Sequence, residues 1–167
     1  MLWVKNFGPR EVAAVIVVLG ILVVVSTYGF QYLGGLRPCT LCIYQRWAWV
    51  IAILLSSLTL YFRDRAILQE IGVVLASLSI LTGAGIAVLH VGIENVWWHG
   101  SEFCNKTHDL PTTVEALKAR VLNSLIVSCD KIPWSLLGIS IAEFNVLISL
   151  ITGISGLAMS MRARWRI

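Results

Sequence analysis

Two cysteines, Cys39 and Cys42, stand three apart in the run RPCTLCIYQR, and Arg46 follows the second by four residues. A pair this close forms too small a ring to restrain the unfolded chain much, so it makes a poor structural staple. It is better suited to redox work, because a helix beginning at such a pair lowers a thiol's pKa and the thiolate is the form that exchanges disulfides. Pro38 and a short turn place Cys42 at the start of a helix, and Arg46 falls on the same face one turn later. A guanidinium cannot shed its proton and is costly in lipid unless it pairs or snorkels. The reading favoured is a Cys42 thiolate held by Arg46 and the helix N-terminus; a snorkelling anchor is the plainer alternative.

Two further cysteines, Cys104 and Cys129, lie in a later segment with 24 residues between them. An even count facing an oxidising compartment reads first as two disulfides. Zinc is the competing use. Its ligands usually come in two close pairs, whereas Cys104 and Cys129 are far apart and His99 and His108 do not make an H-x₃₋₅-H. Iron–sulfur ligation meets the same objection, and no metal is expected. Two dithiols on one chain suggest a relay instead, with the outer pair exposed to a soluble partner and the Cys39–Cys42 pair beside a carrier dissolved in lipid.

The elements that must hold these sulfurs are membrane spans. The chain has 167 residues, of which 57% are hydrophobic and 13% charged, and its mean hydropathy is +0.82. No soluble fold of this length hides so much apolar surface. Four segments reach the roughly 20 apolar residues that a spanning helix needs: about 12–32, 43–62, 71–91 and 143–161. Backbone in hydrocarbon must bond internally, so even the β-branched run VIVV is helical. The fold expected is an all-α membrane protein, a single domain over 1–167 formed as a four-helix transmembrane bundle. Outer loops run over about 33–42 and 92–142. The first apolar run is longer than a signal core and no A-x-A pattern follows it, so it is read as a span.

Arginine and lysine set the orientation. Lys5, Arg10, Arg63, Arg65, Arg162, Arg164 and Arg166 crowd one side, while the other side's cations are spread through longer loops. Both termini are therefore expected in the cytoplasm, with all four cysteines on the opposite side. This bias also accounts for the pI near 9.1 without any nucleic acid.

The second outer loop contains PTTVEALKARVLNSL, in which Pro111 and the capping-box pair Thr112 and Glu115 start a short amphipathic helix. It is expected to lie flat at the membrane surface, or to pack on the protein's own crown. Trp97, Trp98, Trp134, Trp47 and Trp49 read mostly as interface-belt residues, with one or two bordering a flat apolar ligand as the minority reading. His90 and Glu94 stand one turn apart at the outer end of the third span. They form an interfacial pair on the plain reading, and a proton route or ligand contact on the functional one. Glu143 at the mouth of the fourth span is not accounted for beyond interfacial placement.

The runs PCTLCIYQR, HVGIENVWWHG and WSLLGISIAEFN, with the Cys104–Cys129 spacing, resemble the DsbB family of bacterial inner-membrane disulfide-generating proteins over nearly the whole chain. The resemblance implies an enzyme that reoxidises a DsbA-like periplasmic thioredoxin-fold protein and passes the electrons to a membrane quinone, ubiquinone or menaquinone. It implies that Cys104 forms the mixed disulfide with the partner and that Cys129 then attacks Cys39. Cys42, released, becomes the electron donor to the quinone, with Arg46 stabilising the charge and the bound ring. His90 and Glu94 carry over as candidate neighbours of the quinone site. A dedicated partner, a scaffold with inert disulfides, and electron flow in the reverse direction remain the alternatives.

Overall fold

The computed structural model describes residues 8–62, 64–98, 104, 113–115, 129 and 132–164. Four long helices are present: α1 (Pro9–Tyr32), α2 (Thr40–Tyr61), α3 (Ala66–Glu94) and α4 (Ile141–Arg164). A two-stranded hairpin, β1 (Ser135–Leu136) with β2 (Ile139–Ser140), immediately precedes α4. Each helix is long and apolar enough to cross a bilayer. The four expected spans are therefore all helices, and each begins earlier than its apolar run.

Three of the four starts have a local capping reason that hydropathy does not carry. At α1, Pro9 occupies the first turn and the Gly8 N–H donates to Glu11 Oε2 at 2.9 Å, which starts the helix before Val12. At α2 the N-cap is Cys39 itself, whose sulfur accepts the Cys42 N–H at 3.2 Å. At α4, Ser140 Oγ accepts the Glu143 N–H at 3.2 Å while the Ser140 N–H donates to Glu143 Oε2 at 2.7 Å. That reciprocal capping box is the reason for an acid at the mouth of the fourth span.

Helix α3 is central and packs along α2 on one side and α4 on the other, while α1 leans chiefly on α2. The core joins Ile16 of α1, Trp49 and Ala52 of α2, and Val73, Ala76 and Ile80 of α3. Glycines bring the rods close. A side chain at Gly20 would strike Ile53, one at Gly72 would strike Thr59, and ones at Gly153 and Gly156 would strike Leu81 and Ser77. Small residues at such seams let helices associate in lipid, where no hydrophobic force drives them together. Large apolar side chains such as Val18, Val25, Leu54 and Ile151 face outward, toward the acyl chains.

Two features fold the crown over the helix ends. After α3, Val96 adopts a left-handed φ of 58°, and the Trp97 N–H closes onto the Gly92 carbonyl at 2.8 Å. A β-branched residue there is strained, and glycine is the usual occupant. The turn sends Trp98 back over Gly92, with its Nε1–H donating to the Leu89 carbonyl at 3.1 Å. In the hairpin, Leu137 and Gly138 take φ of 54° and 84°, the paired left-handed residues of a tight turn. Trp134, just before it, packs on Phe30 of α1 with ring centroids 5.1 Å apart.

Trp49 departs from the interface-belt expectation. It is 1% exposed and lies in the bundle core, because its indole N–H has a partner on α4. Of the amphipathic helix expected over 111–125, only 113–115 fall within the described residues.

Candidate functional site

The first turn of α2 meets the last turn of α3 at the crown. Cys39 as N-cap and Cys42 on the first turn bring their sulfurs to 2.8 Å, and His90 Nε2 lies 3.5 Å from Cys39 Sγ. Nε2 is also 3.6 Å from Glu94 Oε1, and Ser140 Oγ donates to Glu94 Oε2 at 2.7 Å. His90 and Glu94 are thus buried beside the dithiol and not at an open interface. Their spacing of one helical turn was legible; their placement against the cysteines was not.

All four cysteines are in the thiol form and they lie together. Cys129 hydrogen-bonds with both Cys104 and Cys39, and Cys39 with Cys42. The sulfurs therefore run in the order Cys104, Cys129, Cys39, Cys42. The expectation that the outer pair is exposed fails: Cys104 is 4% exposed and Cys129 1%. Both pack on Ile93, Leu41 and Cys39, which form a small apolar core under the crown.

This contact polarises the thiols. The Cys39 S–H is held by the Cys129 sulfur, which raises the pKa of Cys39 and lowers that of Cys129 from 9.0 to about 6. In the fully reduced protein, thiolate absorbance assigned to Cys129 should therefore rise with a midpoint near pH 6 and be lost below it. The measurement is the ultraviolet difference between this chain and its Cys129→Ser variant; a midpoint near the ordinary thiol value would remove the coupling.

Arg46 lies elsewhere than expected. Its guanidinium donates to Gln31 Oε1 at 2.5 Å and to the Thr27 carbonyl at 3.3 Å, and sits 5.0 Å from the Tyr28 ring centroid. These partners belong to α1, so Arg46 ties α1 to α2. The reason is burial: a guanidinium one turn into a span must satisfy its donors, and α1 offers a carbonyl, an amide and a ring face. The group beside the Cys39 and Cys42 sulfurs is His90, the histidine that its spacing from Glu94 singled out; His99 and His108 lie outside the described residues.

A cavity of about 320 Å³ opens next to the dithiol. Cys42, Arg46 and His90 contribute to its wall, and Val24, Trp134 and Ile148 are among its apolar side chains. The size falls at the lower end of small-molecule sites, which run from about 300 to 1,000 Å³. Mostly apolar walls with a few convergent polar groups suit a flat ring bearing carbonyl oxygens. The Cys39 and Cys42 sulfurs and a His90 nitrogen, all within 4.8 Å of one another, also form a donor set suited to a thiophilic cation.

Residues 9–159 match the family model for disulfide bond formation protein DsbB. The chain belongs to the DsbB family. A protein named disulfide bond formation protein B from Histophilus somni is 30% identical over 154 residues, 89% of this chain and 84% of the relative. The one from a Polaromonas species is 25% identical over 166 residues, 92% of each chain. The one from Haemophilus influenzae is 27% identical over 151 residues, 86% of this chain and 82% of the relative. No solved structure matches. As a DsbB-family protein with four membrane-length helices, the chain is a multi-pass membrane protein of disulfide-bond formation.

Sequence reasoning missed Gln31, Gln45, Asn145 and Ser140. The three amides show only as isolated polar residues in or beside apolar runs, and nothing local tells which will face one another across the bundle. Ser140 and Glu143, by contrast, carry capping-box spacing that was there to be read.

Proposed function

We propose that this protein reoxidises a DsbA-like periplasmic thioredoxin-fold partner and delivers the electrons to a membrane quinone. The observation that carries the reading is the order of sulfurs, Cys104–Cys129–Cys39–Cys42, ending at the wall of an apolar cavity. Thiol–disulfide exchange passes only between sulfurs that touch, and this order gives each one its next neighbour.

In the oxidised enzyme, a partner thiolate attacks Cys104, forming the mixed disulfide and expelling Cys129 as thiolate. Cys129 attacks Cys39, joining the two loops and expelling Cys42. The partner's second thiolate resolves the mixed disulfide, leaving as disulfide and freeing Cys104. Cys104 then attacks Cys129, which restores their bond and returns Cys39 to its neighbour Cys42. A quinone held in the cavity supplies the two-electron, two-proton acceptor that allows Cys39 and Cys42 to rejoin. In total, one partner dithiol becomes a disulfide and one quinone becomes a hydroquinone. Arg46 and Gln31 fix the polar side of the cavity. Because Cys104 and Cys129 are buried when reduced, the crown must open for the partner to reach Cys104.

Both termini then face the cytoplasm and the cysteines the periplasm, as the arginine bias favours. The test mixes purified protein in lipid with reduced partner and a soluble quinone, following quinone absorbance and partner thiols together. The expected result is one quinone reduced per partner oxidised. Partner oxidation without quinone loss would overturn the quinone assignment, and impermeant thiol reagents labelling the cysteines from the cytoplasmic face would overturn the orientation.

A further inference from the structure

A chain of polar side chains crosses the bundle behind the dithiol, and each link sets the direction of the next. The Trp49 indole N–H can only donate, and it donates to Asn145 Oδ1 at 3.0 Å. Ser149 Oγ donates to the same oxygen at 3.1 Å. With its oxygen so engaged, Asn145 points Nδ2 at Gln45 Oε1, 2.6 Å away. Gln45 must then turn Nε2, a donor, toward His90 Nδ1 at 3.3 Å. A ring nitrogen facing a donor has to carry its lone pair. The His90 proton is therefore on Nε2, the nitrogen that faces Cys39 Sγ at 3.5 Å and Glu94 Oε1 at 3.6 Å.

We infer that Trp49, Asn145 and Gln45 are positioning residues that lock His90 as its Nε2–H tautomer, so that the imidazole always presents a hydrogen-bond donor to the Cys39 sulfur. The donor stabilises Cys39 whenever exchange expels it as a thiolate, which lowers the barrier to displacing it. The opposite tautomer would set a lone pair against the anionic sulfur and would oppose its departure. Trp49, Gln45 and Ser149 are buried, at 1%, 6% and 0% exposure, and Asn145 is half-buried where the network borders the cavity, so side chains and not bulk water supply each link. Buried polar networks are costly unless every member is satisfied, and here each link fixes the next. The groups facing the ring are Cys39 and Glu94 at Nε2, Gln45 at Nδ1, and Cys42, whose sulfur also hydrogen-bonds with the imidazole.

The role in exchange rests on the redox function proposed above, but the tautomer does not. The experiment uses the full reduced protein in lipid with nitrogen-15 in its histidines, assigned by comparison with a His90→Gln sample. The expected spectrum shows His90 neutral and protonated at Nε2. In Asn145→Asp, a near-isosteric acceptor-only side chain, Gln45 must present its amide to the carboxylate and its oxygen to Nδ1. The proton should then appear on Nδ1, and exchange at Cys39 should slow at least about tenfold, the effect of one hydrogen bond of about 1.4 kcal/mol. Gln45→Glu, which faces Nδ1 with a carboxylate, should give the same spectral change. Wild-type protein showing Nδ1–H would overturn the inference without any variant, and so would an unchanged Nε2–H in both variants. Loss of quinone reduction in a wild-type sample that still shows Nε2–H would sink the function and leave the tautomer standing.

Discussion

Cys42→Ala is expected to oxidise one equivalent of partner per protein and then stop, with steady quinone reduction falling to background, at least about a thousandfold. The first step needs only the Cys104–Cys129 bond and survives the substitution. The last step needs a sulfur that can rejoin Cys39, and Cys42 is the neighbour at 2.8 Å and part of the cavity wall. Counting partner thiols against time separates the two phases. Continued turnover without Cys42 would show that electrons leave from another sulfur, and the order of exchange argued above would have to be abandoned.

Arg46→Leu should raise the KM for a soluble quinone about tenfold to a hundredfold while leaving the single-equivalent burst at Cys104 unchanged. A hydrogen bond to a charged group contributes about 1.5–3 kcal/mol, and each 1.4 kcal/mol is about a factor of ten in affinity. Arg46 both borders the cavity and holds α1 through Gln31, the Thr27 carbonyl and the Tyr28 ring. Arg46→Lys should recover little, since an ammonium cannot reproduce the planar fork that reaches two acceptors at once. Titrating quinone at fixed partner concentration reads the effect; an unchanged KM would reduce Arg46 to a clamp between helices.

What could be read in the chain followed the physics of each signal. The four spans were legible because hydrocarbon leaves backbone no choice but the helix, whatever the local propensity. Their starts were not, since Pro9, Cys39 and Ser140 begin helices by capping and not by hydropathy. Cys39, Cys42, His90 and Glu94 were named from local spacing, which survives folding on a helix. The partnership of Arg46 was misjudged because spacing on one helix says nothing about a neighbour. Gln31 lies on α1, fifteen residues away in sequence, and captures the guanidinium that seemed destined for Cys42. Asn145 and Gln45, one hundred residues apart, illustrate the same limit. Burial of Cys104 and Cys129 came from packing against Leu41 and Ile93, contacts between a loop and helix ends that no periodicity encodes.

The glycine seams of the bundle bear on how this machine feels its surroundings. With Leu81 and Ser77 seated directly over Gly153 and Gly156, and Thr59 over Gly72, the rods have little room to slide or tilt as sulfurs exchange above them. Rearrangement is left to the crown, in the headgroup layer. The rate of sulfur exchange should accordingly follow the aqueous chemistry as temperature changes, with no break where the acyl chains freeze.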